Sequence, residues 1–344
     1  MKKVFGISFF ICSILQTFGQ LQTDSLFSIQ TPLDIGISMS IKEVRKSKAD
    51  STWLSHKLYY QNSLGKKDSI KVDLKSRGNF RLNECYLPPL WIKIPKKRAA
   101  GTMFQGNKKV KLVLPCNNQK GSNDLILREY ICYKLCELIT PFSFKTRLVN
   151  IDLTEFRGKK DKNFQVKGIM IEDLEKVAKH FNAKEAKDVK IYPTGLEDTS
   201  ALRFYFFQFL ISNTDWSETQ QHNTKLIQLR RGNYVAMPYD FDMSGVVDAP
   251  YAVVSEINGV KLPIENVKER LYRGFCKSPV LTEFVRQEVL SKEDKLLSVP
   301  DLLKGELSDK EISSIKDYLK DFFDVLKNDN SYKKNILDQC RTAN

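Results

Sequence analysis

Five side chains in the second half of the sequence carry the residue types and spacing that chemistry needs. Asp215 sits in Ser212-Asn-Thr-Asp-Trp216, directly after the apolar run ending Phe209-Leu210-Ile211, and His222 and Asn223 follow it by seven and eight residues. The next β-like run, Tyr234 to Pro238, leads into Tyr239-Asp-Phe-Asp-Met-Ser-Gly245, which supplies Asp240 and Asp242. Hard divalent cations take oxygen ligands, and Mg²⁺ is commonly held by one or two carboxylates plus substrate phosphates. Phosphoryl transfer also needs a base or orienting group beside the accepting hydroxyl. Asp215 suits that second role, with Asn223 and Asp240 or Asp242 suited to the metal. Each motif alone is ordinary turn chemistry, because Asn and Asp readily bond their own backbone. Their succession through one hairpin beside an apolar core is what points to a site. His222 reads equally as a base or as an orienting histidine. The same carboxylates could activate water instead, which keeps a metal-dependent hydrolase open.

Anion-binding candidates lie upstream. Lys75-Ser-Arg-Gly-Asn-Phe-Arg81 places Arg77 and Arg81 around a Gly-Asn turn. Lys93 interrupts the apolar strand Leu90–Ile94, and Lys109 and Lys111 alternate along the next one. A strand lysine aimed into a cleft can pair phosphate oxygens; most strand lysines simply face solvent. Arg128 and Glu129 on the following helix, with Glu172, are expected to complete an ion-pair network. Neither standard Gly-rich phosphate loop is present. Lys96-Lys97-Arg98 reads as a solvated basic turn, since no aromatic interleaves it, and no nucleic-acid partner is expected.

The elements that must position these groups follow from periodicity. Alternating apolar and polar residues predict strands over 34–41, 69–74, 90–94, 109–114, 147–153 and 165–172. A helix is expected from Ser122 to about Leu138, closed by Pro141, and Asp198-Thr199 opens another to Ile211 that is too apolar for a surface. From Glu265 onward the pattern is helical. This is an α+β fold with a cleft between its halves, divided as a leader over 1–20, a strand-rich lobe over 21–121 and a mainly helical lobe over 122–344, with the catalytic hairpin at 212–245.

Composition narrows the class. The 344 residues are 42% apolar and 28% charged, which excludes a disordered tail, a collagen-like repeat and a disulfide mini-scaffold. The formal charge of +14 suits an anionic partner without choosing one. Lys2, Lys3 and the apolar stretch Val4–Leu15 form a secretory signal that ends near Gly19 or Gln20. An apolar run this short falls below the roughly 20 residues a membrane span needs. No later segment is longer, so no stable membrane insertion is expected after cleavage, and the mature chain is read as exported, periplasmic or secreted. Removing Cys12 leaves six of the seven cysteines, an even number that permits disulfides in an oxidising compartment. Cys85 and Cys116 are the preferred pair; Cys132 and Cys136, four apart, read as buried helix-face residues rather than metal ligands.

In order along the chain, Ser76-Arg-Gly-Asn79, the strand lysine, Leu127-Arg128, Gly168 to Glu172, Asn213-x-Asp215 with His222-Asn223, and Tyr239-Asp-Phe-Asp242 resemble the CotH family of spore-coat protein H-like secreted atypical kinases. The similarity spans Leu74 to Gly245. The strings Asn213-Thr-Asp-Trp216 and His222-Asn-x-Lys225 resemble exported members from Bacteroidetes-type bacteria. The resemblance implies a protein-kinase-like bilobed fold and transfer of the ATP γ-phosphate to protein Ser or Thr, with Mg²⁺ or Mn²⁺. It assigns Asp215 to the catalytic-loop aspartate, Asn223 to a metal-supporting role, Asp240 or Asp242 to the metal, and Lys93 to the nucleotide, with Lys111 as its rival. Nucleotide and a protein substrate are the partners implied. A catalytically silent binding protein of the cell envelope with the same fold is the alternative.

Overall fold

Seven segments of the first half each carry one apolar face to bury. These are β1 (Leu33–Met39), β2 (Leu54–Gln61), β3 (Lys67–Ser76), β4 (Leu90–Lys93), β5 (Lys109–Val113), β6 (Thr146–Glu155) and β7 (Lys162–Ile171). In β5 and parts of β6 and β7 the other face is covered as well. The computed structural model describes residues 25–342 apart from 63, 159, 188, 231 and 258, and the expected leader at 1–20 lies outside the described residues. The strands follow the order β1-β2-β3-β4-β5-β7-β6 and close into a barrel. Closure comes from a parallel pairing of β1 with β6, in register from Leu33 opposite Val149 to Met39 opposite Glu155.

That closure corrects the expected fold class, an α+β protein-kinase-like bilobed arrangement. A closed seven-stranded barrel followed by helices stands in its place. The physical reason is that strand alternation reports a buried face and says nothing about whether the last strand returns to the first. A barrel leaves no open sheet edge. Its interior is filled by one continuous apolar cluster, including Ile37, Leu58, Val72, Leu90, Ile92, Leu112, Val149 and Ile151.

Two short helices, α1 (Ile41–Lys46) and α2 (Phe80–Glu84), interrupt the barrel strands, and the long α3 (Ser122–Ile139) connects β5 to β6. Beyond the barrel come α4 (Asp198–Leu210), α5 (Pro279–Leu290) and α6 (Asp309–Lys327), with a small sheet of β8 (Lys184–Glu185), β9 (Thr224–Gln228) and β10 (Tyr234–Pro238). α4 starts where Glu197 accepts hydrogen bonds from the Thr199 and Ser200 backbone. Phe204, Phe206 and Phe207 are fully buried, as an all-round apolar helix requires. α6 opens on a capping box between Ser308 and Glu311.

The chain holds the expected Cys85–Cys116 disulfide and a second one, Cys276–Cys340. Cys132 and Cys136 are free and buried on α3. Among the described residues, no helix is long and apolar enough to cross a membrane.

Candidate functional site

The buried α4 ends at a turn that is fixed from several sides. Ser212 takes a left-handed backbone, with φ 48°, and its hydroxyl donates to the Val267 and Glu269 carbonyls at 3.0 and 2.8 Å. Asn213 then caps the loop by accepting from the Asp215 N–H at 3.0 Å. The buried Arg273 donates to the Thr214 and Trp216 carbonyls and stacks its guanidinium 5.0 Å from the Trp216 ring. Burial and the neighbouring Arg341 pull its pKa down to about 10.

Asp215 is clasped through both carboxylate oxygens. Its Oδ1 lies 2.9 Å from His222 Nε2, and its Oδ2 accepts from Asn223 Nδ2 at 2.7 Å. Asn223 Nδ2 also donates to the Asp215 carbonyl, at 2.9 Å. The hydrogen bond to Asp215 raises the His222 pKa against the opposing effect of burial. Asp215 stays partly exposed, at 27%, at the edge of a groove of about 910 Å³ that Phe80, Met243 and Val253 also line. Five of the seven described non-glycine residues with positive φ fall in 212–248: Ser212, Gln221, Asn223, Asp240 and Asp248. Such conformations cost energy and persist where surrounding structure holds them, as at binding and catalytic sites.

β9 and β10 carry the chain from Asn223 back to Asp240. The Tyr239 N–H donates to the Asn223 carbonyl at 3.1 Å, which brings the two acidic loops side by side. Gly245 makes the close approach possible: its N–H donates to the Ser212 carbonyl at 3.0 Å, and a Cβ there would come 2.7 Å from the Val267 carbonyl. Tyr133 of α3 accepts from the Asp240 N–H at 3.3 Å and packs its ring 4.6 Å from Phe241.

The carboxylates are crowded. Asp242 is buried, and burial together with Asp240 raises its pKa to about 7, against the pull of Arg81. Glu129 of α3 is likewise pushed up by burial, with Arg81 opposing. Arg81 of α2 stands between them, 3.8 Å from Glu129 and 4.0 Å from Asp242. Tyr251 donates to Asp242 at 3.3 Å.

A cationic group faces this acidic one. Lys111 is 3% exposed, and its amine has no hydrogen-bond partner among the described residues. It lies 3.8 Å from the Tyr239 ring centroid and 4.6 Å from that of Phe144. Burial, then Arg77, then Lys225 hold its pKa well below the ordinary lysine value. Arg77 packs over Trp91 and Tyr239 at 5.5 and 5.4 Å; burial lowers its pKa while Asp240 works the other way. A buried amine with nothing to donate to, beside two further cations, fits an anionic oxygen cluster such as a phosphate chain. Among the described residues, no group of three or more His, Cys, Asp or Glu side chains stands in metal-holding geometry. The donor set at Asp240 and Asp242 is a carboxylate pair, which fits Mg²⁺ or Mn²⁺ completing its shell from phosphate and water.

Thus Asp215, His222 and Asn223 meet directly, Arg77 and Lys111 converge on the Tyr239 ring next to Asp240 in the chain, and Asp242 sits with Arg81 and Tyr251. Lys93 is set apart: it is exposed on β4, with its amine 5.5 Å from the Trp53 ring. Arg128 turns to Glu311 of α6 at 3.3 Å, and Glu172 to Lys176 at 3.6 Å. Sequence reading passed over Tyr133, Lys225 and Arg273. The lysine alternates along a short strand, so its placement was available; the other two act through contacts far away in the chain.

No curated protein matches the chain. The family model described as CotH kinase protein matches residues 154–342, a span that holds Asp215, His222, Asn223, Asp240 and Asp242 and begins beyond Arg77, Lys93 and Lys111. With over half its length matched, and with its acidic hairpin inside the match, the chain belongs to the CotH kinase family.

Proposed function

We propose that the protein is an exported protein kinase that transfers the ATP γ-phosphate to a Ser or Thr hydroxyl. Asp215 takes the hydroxyl proton as the oxygen bonds to the γ-phosphorus, while the bond to the ADP oxygen breaks and ADP leaves. His222 and Asn223 hold the Asp215 carboxylate in one orientation, which lowers the cost of reaching the reactive geometry. Lys111, Arg77 and Lys225 bind phosphate oxygens, and their charge is complementary to the ground state as well as to the transition state. Asp240 and Asp242 would hold the cation, which when bound neutralises charge on the phosphates. The two disulfides support export, since such bonds persist in oxidising compartments.

The observation that carries this reading is the orphaned Lys111 amine over the Tyr239 ring, at the entrance to the acidic loop. Lys111→Met keeps length and removes the charge, so it should weaken binding of an ATP analogue about tenfold or more, one charge-assisted contact being worth roughly 1.5–3 kcal/mol. Calorimetric titration with Mg²⁺ present reads this directly. Wild-type affinity in the variant would contradict the assignment of Lys111.

A further inference from the structure

The barrel carries a second charged surface that phosphoryl transfer does not use. On its outer side, β2, β3 and β4 present Lys57, Lys71, Lys75 and Lys93, and the helix Lys96–Ala99 adds Lys96, Lys97 and Arg98 at the edge. Lys57 stands directly opposite Lys71, and Lys93 directly opposite Lys109. Like charges placed opposite one another across strands destabilise a sheet. Asp73, opposite Lys93, is the acid within this array. Among the described residues, Lys109 is the one lysine of the array with an ion pair, to Asp173 at 3.3 Å.

The aromatic group that the basic turn lacks in sequence is supplied from β2's approach. Trp53 is 37% exposed, with the amines of Lys75 and Lys93 at 6.0 and 5.5 Å from its ring. Arg98 reaches the same area, donating to the Lys71 carbonyl at 3.4 Å. The strands that carry these lysines lie about 4.7–4.9 Å apart across the sheet, and two of the amines, those of Lys75 and Lys93, flank the exposed indole.

We propose that this face binds a linear acidic polysaccharide. The lysines pair with its carboxylate or sulfate groups, and the Trp53 indole packs against the apolar face of a sugar ring. A repeating polyanion suits a repeating array of cations better than a single phosphate does. The disulfides favour a polymer outside the reducing cytoplasm over nucleic acid. The array adjoins the phosphate-binding cations, since Lys75 stands opposite Trp91, over which Arg77 and Lys111 pack at 5.5 Å. Its lysines nevertheless lie outside the groove that Asp215 lines, and polymer binding by them needs no phosphate transfer.

The test is fluorescence anisotropy of a labelled alginate oligosaccharide against the whole mature protein at low and high salt. Lys57→Gln/Lys71→Gln/Lys75→Gln should weaken binding about tenfold or more and flatten its salt dependence, as fewer counterions are released. Trp53→Ala should weaken it at unchanged net charge. Lys310→Gln/Lys333→Gln/Lys334→Gln, which removes the same charge from the exposed C-terminal helices, should bind as wild type. Thermal unfolding should show the first triple variant at least as stable as wild type, because it removes the Lys57–Lys71 repulsion. Wild-type affinity in that variant, equal loss in the C-terminal one, or equal binding of neutral dextran would each overturn the proposal. Tighter binding of single-stranded DNA or of anionic phosphatidylglycerol vesicles would also overturn it, in favour of that partner.

Discussion

Asp242 has the most informative electrostatics of any single residue here. Burial and Asp240 raise its pKa from 3.8 to about 7, so the folded protein keeps a proton there that the unfolded chain has already lost. Between those values the folded state binds more protons, and this group's contribution to stability falls as pH rises. A cation held at Asp242, as proposed, would oppose that trend, because a metal needs the deprotonated form and displaces the proton. Nucleotide affinity measured with Mn²⁺ should therefore climb from about pH 5.5 to 7.5, and Asp242→Asn should be weaker and flatter over the same range. A wild-type profile flat across neutrality would place the cation elsewhere. His222 behaves in the opposite sense to a carboxylate with a lowered pKa. Its pKa is raised by Asp215, so the stability it adds is full below 6.5 and is lost as pH rises through the folded value.

At the level of elements, the acidic hairpin was legible because its polar side chains are close in sequence. Asp215, His222 and Asn223 lead into one strand–turn–strand unit and Asp240 and Asp242 leave it, so residue type plus spacing locates them. The strands β1 and β3 to β7 were legible from alternation for the same local reason. β2 was not, since the half Leu54–Lys57 is largely solvent-facing and only Leu58 and Tyr60 are buried. Arg81 and Glu129 come together only through tertiary contact. Their meeting depends on α2, which the Cys85–Cys116 bond ties to the end of β5 across 31 residues. Arg81 also donates to the Leu114 carbonyl, reinforcing the same junction. Replacing both cysteines with serine should cost about 2–5 kcal/mol by denaturant titration. An unchanged midpoint would show that the junction is held by Arg81 and packing alone.

Over the whole molecule, barrel closure is the feature that local patterns could not carry. The pairing of β1 with β6 joins residues more than a hundred positions apart, Leu33 to Val149 among them. Its consequence is a closed scaffold whose outer wall presents Lys111 toward Tyr239, while α4 and the β9–β10 hairpin present Asp215 and Asp240. Cations and carboxylates thus reach one place from opposite halves of the chain. Phosphoryl transfer requires that meeting of phosphate-binding cations with a base and metal-holding acids. Transfer itself is read by following γ-labelled phosphate from ATP into protein serine and threonine, with wild type and Asp215→Asn compared side by side. Wild type should incorporate label and the variant should lose about a hundredfold or more, the scale of a general base, with ATP affinity retained. Equal incorporation by the two proteins, or ATP binding by wild type with no transfer at all, would contradict transfer through Asp215.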